Sequence, residues 1–372
     1  MKTSGDVLVI GAGIIGCSIA YRLAKEGLRV TVIERAQPGE EASRAAAGML
    51  APQADAAHGL QGPLSELCYA SHVLYPEFVA ELEEETGIRI GYQTSGSILV
   101  AADFKEAQAL AGLLERQLSA GRQAEELSTQ QLKELEPALA DNIQVGVYLP
   151  DDHYVDNRKL LRALAAAAAS QGVQFLTGVP VIALEYKHSR VVGVRIPERV
   201  LSGGTIINAA GCWAAQVDPS DRITLPVRPI RGQMVCLDKQ PQPVYHLVHS
   251  SGCYLVPWPD GRILVGSTLE NVGYNKEVTA KGIQQLLEAA LKLVPSLESA
   301  TIRKVWAGLR PDTQDNLPIL GTTNISNLVV AAGHFRNGIL LAPITARLIT
   351  ELIVGGQSSI SLEPFQQNRF EQ

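Results

Sequence analysis

The apolar pattern begins with an unbroken run, Val7-Leu8-Val9-Ile10, followed by Gly11-Ala12-Gly13-Ile14-Ile15-Gly16 and a helical stretch over 17–26. A short aliphatic run without polar alternation predicts a strand buried on both faces, as in a parallel sheet. Gly27 stops the helix, residues 28–33 give a second apolar strand, and Glu34 stands at its end. From 63 to 139 the pattern changes to amphipathic helices, 71–86 and 104–120, with a strand over 92–100 between them. Asn157 is expected to cap a helix over 158–171 that Gly172 ends, and strands over 173–177 and 181–185 resume the first pattern. Thr205-Ile206-Ile207-Asn208-Ala209-Ala210-Gly211 is a further apolar strand with a small-residue end.

Residues 225–237 and 246–269 alternate in strand fashion, and Pro259-Asp260-Gly261 reads as a hairpin turn. Alternation puts Tyr254, Val256 and Trp258 on one face, so an antiparallel sheet lying on a cofactor would hold Tyr254 over a pocket. A helix over 280–293 ends before Pro295, a strand covers 328–332, and a glycine-containing loop leads into a helix over 339–353. The sum is an α/β chain, α+β overall. A Rossmann-like domain is entered first, left for an insertion and entered again.

At 372 residues with 46% hydrophobic content, the chain is large enough for two domains and too apolar to be disordered. Its net charge of −6, without a long basic cluster, argues against nucleic acid as a partner. Cys17, Cys68, Cys212, Cys236 and Cys253 form no C-x-x-C pair, so neither a metal site nor a disulfide framework is expected, and a cytoplasmic setting is the simplest. Glycines interrupt the N-terminal apolar run and Arg22 and Lys25 follow it, which disfavours an export signal; the apolar helix near 160–170 contains Arg162 and is too short to span a bilayer. No membrane partner is expected.

The glycine spacing carries the first chemistry. Gly11 permits a tight turn, Gly13 lets a pyrophosphate approach the backbone, and Gly16 lets helix and strand pack closely. The helix N-terminus then faces the phosphates, and a carboxylate at Glu34 accepts the ribose hydroxyls of an adenosine. The small residues of Ala42-Ser43-Arg44-Ala45-Ala46-Ala47-Gly48-Met49-Leu50-Ala51-Pro52 read either as an alanine-rich helix or as a second backbone surface, for the ribityl and pyrophosphate of a flavin, with the Ser43 hydroxyl as donor. Trp213 reads as ordinary core or interface packing.

Four stretches together resemble the D-amino-acid-oxidase superfamily of flavoproteins, most closely the bacterial glycine oxidases of thiamine biosynthesis. They are Gly11 to Gly16 with Glu34, the S-R-A-A-A-G-M-L-A-P run from Ser43, the G-L-R-P of Gly308 to Pro311, and the G-H-F-R-N-G-I-L-L-A-P run from Gly333. The resemblance implies non-covalent FAD and an FAD-binding domain (1–50, 150–215, 308–372) interleaved with a substrate domain on an antiparallel sheet (51–149, 216–307). It implies FAD contacts at Gly11, Gly13, Ile14, Ile15, Gly16, Glu34, Arg35, Ala42, Ser43, Ala47, Gly48, Met49 and Val181. The isoalloxazine loop would be His334, Phe335, Arg336, Asn337, Gly338, Ile339 and Leu340. Arg310 would hold the substrate carboxylate, with Tyr254 hydrogen-bonding it and Arg336 on the substrate side.

The implied reaction is oxidation of glycine, sarcosine or a small D-amino acid by hydride transfer from Cα to flavin N5, with molecular oxygen as acceptor and peroxide as product. No side chain is expected to act as base, so His246, His249 and His334 are assigned to packing and hydrogen bonding. Gly252 and Leu269 stand where larger or more polar pocket residues are expected, which leaves substrate size open. A homo-oligomer, commonly a tetramer, and a role in thiazole synthesis are implied as well. Two alternatives stay open: a D-amino-acid dehydrogenase that reduces a quinone, and a flavin-binding subunit of a hetero-oligomeric oxidase.

Overall fold

A computed structural model describes residues 7–57, 62–220 and 222–370. The ends of the expected 1–50 and 308–372 segments, and residues 58–61 of the expected insertion, lie outside the described residues. Val7–Ile10 sits near the centre of a six-stranded sheet, paired in parallel with Val30–Glu34 on one side and Thr205–Asn208 on the other. Gln174–Thr177 and Leu328–Ala332 extend it in parallel, and Ile319–Thr322 adds an antiparallel edge. The chain leaves the central strand in opposite directions, so a crevice opens at its carboxyl end, where Gly11 lies.

The second sheet has eight strands. Thr301–Asp312 forms its edge beside Arg228–Asp238, followed by Arg262–Gly266, Tyr254–Pro257, Leu247–His249 and Ser97–Ala101. Pairing is antiparallel except where Leu247–His249 runs parallel to Ser97–Ala101. Helix Ala280–Leu293 covers one face through Leu286, Ala290 and Leu293, and the other face closes the crevice. The hairpin at Pro259-Asp260-Gly261 forms as expected, with the Gly261 N–H donating to Trp258 O at 2.9 Å.

Several boundaries differ from the sequence reading for identifiable reasons. The helix expected at 71–86 begins at Pro63, because proline is compatible with a first turn, and it runs to Thr86. Its residues Leu64, Leu67, Tyr75, Val79 and Leu82 enter the same core as helices Ile14–Lys25, Asn157–Ser170 and Ala342–Val354, so this part of the expected insertion packs on the first sheet's side. Strand Thr301–Asp312 runs through the expected boundary at 308. Asp156, and not Asn157, caps helix Asn157–Ser170, accepting from the Arg158 and Lys159 N–H groups at 3.1 and 3.2 Å. Asn157 instead donates its amide to Ser43 O, tying that helix to the small-residue run. The last helix starts at Ala342, three residues late, because Pro343 suits its first turn while 334–341 stay looped.

Candidate active site

A cavity of about 640 Å³ runs from the crevice to the second sheet and takes its walls from both. At the crevice end the walls are backbone. Gly11 has φ +98°, and a Cβ there would stand 2.6 Å from Ala209 O; Gly48 has φ +85°, and a Cβ there would stand 1.9 Å from Val155 O. Both positions exclude a side chain. Gly13 is different: a methyl on it would meet only Ser43 Oγ, at 3.3 Å, and otherwise project into the cavity. Gly16, also expected at the cofactor, is not among the residues that line the cavity. It is buried against Gly11 O, where a Cβ would come within 1.9 Å, so it lets helix and strand pack closely.

The Glu34 carboxylate reaches back to this turn. One oxygen accepts from the Ala12 N–H at 2.8 Å and the other from the Ala36 N–H at 2.9 Å, so Glu34 braces the backbone as well as facing the cavity. Ser43 Oγ accepts from the Ile14 N–H at 2.9 Å, leaving its own proton free to donate. The 42–52 run resolves into a single helical turn, Ala42–Ala45, and a two-residue strand, Met49–Leu50, which decides against a continuous alanine-rich helix. Ile14, Ile15, Ala42, Ala47, Gly48 and Met49 line the cavity beside it. Val179 donates its N–H to Glu34 O at 2.9 Å, which brings Val181 to the same end. Arg35 lies 3.6 Å over the Trp213 ring, whose other neighbour, 5.6 Å away, is Tyr274 from the second sheet's side. Trp213 is therefore a cavity wall as well as interface packing.

At the opposite end the walls are side chains. Arg310, on edge strand Thr301–Asp312, donates to Thr268 O at 3.2 Å and to the Ser267 hydroxyl, and no carboxylate among the described residues pairs with it. Burial pulls its pKa down from the usual arginine value, as does the Arg336 cation, while Tyr254 acts in the opposite sense. Its guanidinium lies against Gly232, where a Cβ would fall 2.3 Å from a terminal nitrogen. Tyr254 lies over Gly266 in the same way, and its hydroxyl reaches Met234 Sδ at 3.3 Å. Gly308 admits Ala45, so the G-L-R-P strand abuts the small-residue run, and the Trp306 indole N–H donates to Ala45 O at 3.0 Å.

The 334–340 loop closes a third side. His334, Phe335, Arg336, Asn337, Gly338, Ile339 and Leu340 all line the cavity. Helix Pro63–Thr86 holds this loop from behind: Tyr75 donates to Ile339 O, Ser71 to Leu340 O, and Asn337 donates to Cys68 Sγ at 3.3 Å. Cys68, Ser71 and Tyr75 fall at helical spacing on one face. His334 is buried beside Thr345 Oγ1 at 3.1 Å, and burial lowers its pKa to about 3, so it is neutral. His246 bonds the buried Glu136 at 2.8 Å, away from the cavity, while His249 lines it with its ring 6.1 Å from Tyr254. Gly252 and Leu269 lie at the wall as well, Leu269 with 56% of its surface exposed.

Asp55, which the sequence reading passed over, also lines the cavity. Burial pushes its pKa up to about 6, and the Arg336 cation opposes that shift.

A cradle that excludes side chains, a helix N-terminus and a strand-end carboxylate fit the diphosphate and ribose of a dinucleotide, and the cavity continues far enough for a ring system beyond them. Residues 6–352 match the DAO family, described as FAD dependent oxidoreductase, and the chain belongs to it. It is similar to the bifunctional protein ThiO/ThiG of Synechocystis sp., 39% identical over all of this chain and 55% of that one, so the chain spans about half the length of that relative. It is also 36% identical to the glycine oxidase of Geobacillus kaustophilus over 98% of this chain and 97% of that protein. The crystal structure of glycine oxidase from that organism superposes with a TM-score of 0.93, covering 98% of each chain at 34% identity.

Proposed function

We propose that this chain oxidises glycine and related small amines, sarcosine and small D-amino acids among them, to the keto acid with release of ammonia or amine and of hydrogen peroxide. Arg310 carries the reading. A half-buried guanidinium with no acidic partner among the described residues suits an anion, and its planar fork gives a carboxylate two parallel charge-assisted hydrogen bonds. Tyr254 would add a third bond to that carboxylate, and Gly232 keeps the guanidinium flat against backbone. Bound FAD would accept hydride from the substrate Cα.

Ile14, Ile15, Glu34, Arg35, Ser43, Val181 and the glycine turn would hold that cofactor without a covalent link. The 334–340 loop would border its ring. Arg336 would compensate Asp55 at the substrate end, and His249 and His334 would serve packing rather than proton transfer. Molecular oxygen is the acceptor in this reading, the chain a cytoplasmic homo-oligomer, and a place in thiazole synthesis belongs to the same reading, from the resemblance to the glycine oxidases of thiamine biosynthesis. No helix among the described residues is long and apolar enough to cross a membrane.

The test is to supply FAD-loaded protein with glycine, sarcosine or D-alanine under air and measure peroxide and keto acid together. Equal amounts of both are expected from at least one substrate. Flavin reduction without peroxide would point to a quinone-linked dehydrogenase, and no turnover of any amine would overturn the proposal.

A further inference from the structure

The short helix Pro52–Ala57 is fixed by a buried polar network. Asp152 accepts from the backbone N–H groups of Gln53 and Ala54, at 2.9 and 3.0 Å, and from the Ser97 hydroxyl at 2.5 Å. The Gln53 side chain donates to Gln123 O at 2.8 Å and accepts from the Asp151 N–H at 3.0 Å. A helix anchored this way gives its cavity-facing residue one direction. That residue is Asp55, which lines the cavity and whose side chain makes no hydrogen bond among the described residues.

The charged groups around Asp55 come from several elements. Arg336 faces it from the 334–340 loop and Asp152 from the turn before His153–Tyr154. Cys68 of helix Pro63–Thr86 also faces it, its thiol kept neutral by burial. Arg336 acts electrostatically on both Asp55 and Arg310, which places the three charges in one neighbourhood. At the substrate end, then, two cations and one carboxylate border the space.

An α-amino acid enters such a site as a zwitterion, because its own carboxylate favours the charged amine. Arg310 satisfies the carboxylate. The ammonium must lose a proton before a hydride can leave Cα, since the nitrogen lone pair is what stabilises the imine that forms.

We propose that Asp55, which lines the cavity beside Arg336, is the group that accepts this ammonium proton. One N–H bond breaks and one O–H bond forms on the Asp55 carboxyl; no electrons leave the substrate in this step, and the proton later passes to water. The inference rests on the amine-oxidising reading of the cavity and adds to it a proton acceptor for the amine, distinct from any base at Cα.

The experiment follows anaerobic flavin bleaching by glycine as a function of pH in native, Asp55→Asn and Asp55→Glu holoenzymes, with acetate binding measured through the flavin spectrum. Below the pKa of the free amine, the Asn variant is expected to slow about tenfold per pH unit and to approach the native rate at high pH. The Glu variant keeps the shallower native profile, and the Asn variant binds acetate at least as tightly as native protein, since Arg310 remains and a negative charge is gone. If the Asn variant retains no flavin, Asp55→Ser carries the same expectation. A native pH profile in the Asn variant, or an equal loss at every pH, overturns the inference while the amine-oxidising reading stands. A native protein that no amine bleaches overturns both.

Discussion

At the crevice end the cavity is made of what side chains leave behind, and at the far end it is made of side chains aimed inward. Gly11, Gly13 and Gly48 present backbone to the cavity, with Glu34 bridging the turn, whereas Arg310, Tyr254, Arg336 and Asp55 bring charge and hydroxyl from separate elements. A backbone cradle recognises a shape and a diphosphate that many enzymes share. A side-chain pocket recognises one class of substrate, and it alters with each substitution. The two ends should therefore fail separately.

The sharpest separation comes from Gly13. Its φ of −70° suits any residue and its missing Cβ points into the cavity, so Gly13→Val should fold yet purify without flavin, checked by visible absorbance and a thermal melt. Loss of folding along with the flavin would blur the contrast. Next in size is Arg310→Ala, which should raise the KM for glycine by roughly 2–5 kcal/mol in free-energy terms and leave flavin content unchanged. Glu34→Ala should weaken FAD retention by about 1.5–3 kcal/mol and, because the carboxylate also braces Ala12 and Ala36, lower stability too, as equilibrium dialysis and urea unfolding would show.

His334 predicts a smaller effect, spread over pH. Its folded pKa of about 3 lies below the usual 6.5, so the unfolded chain takes up the proton first and stability falls as pH drops from 6.5 toward 3, by about 1.4 kcal/mol per unit. Asp55 and Asp152, raised to about 6 and about 7, act in the opposite sense: they favour the fold below their usual range and lose that contribution as pH rises through those values. The measurement is accordingly the difference between native protein and His334→Asn, which should shrink as pH falls. Smallest is Tyr75→Phe, which frees Ile339 O and should cost about 1 kcal/mol of stability, with a change in the flavin spectrum as the loop loosens.

The same contrast explains what the sequence revealed. The glycine turn, Glu34 and the G-L-R-P strand carrying Arg310 stand in short runs that carry a family resemblance, and the α/β fold class follows from the apolar strands and periodic helices around them. Long-range partners left no such trace. Ser71 holds Leu340 from 269 residues away, and helical spacing of Cys68, Ser71 and Tyr75 reads equally well as core. Asp55 was invisible because a lone acid in an alanine-rich run has no local signature; its meaning comes from Asp152, which fixes its helix, and Arg336, which faces it. Asn157 reads as a cap as readily as Asp156 because Asp and Asn are equally good caps and stand side by side there. The start of the last helix leaves no local mark because the apolar run from Ile339 is continuous while the loop is held open by side chains from another helix.

The most direct test is to mix FAD-loaded native protein and Arg310→Ala anaerobically with rising glycine, sarcosine or D-alanine and record flavin absorbance. The expected result is saturable bleaching of the native protein by at least one of these amines, with half-saturation shifted at least about 30-fold upward in the variant. Flavin that stays oxidised with every amine, or half-saturation that the variant leaves unchanged, would contradict the assignment of this cavity.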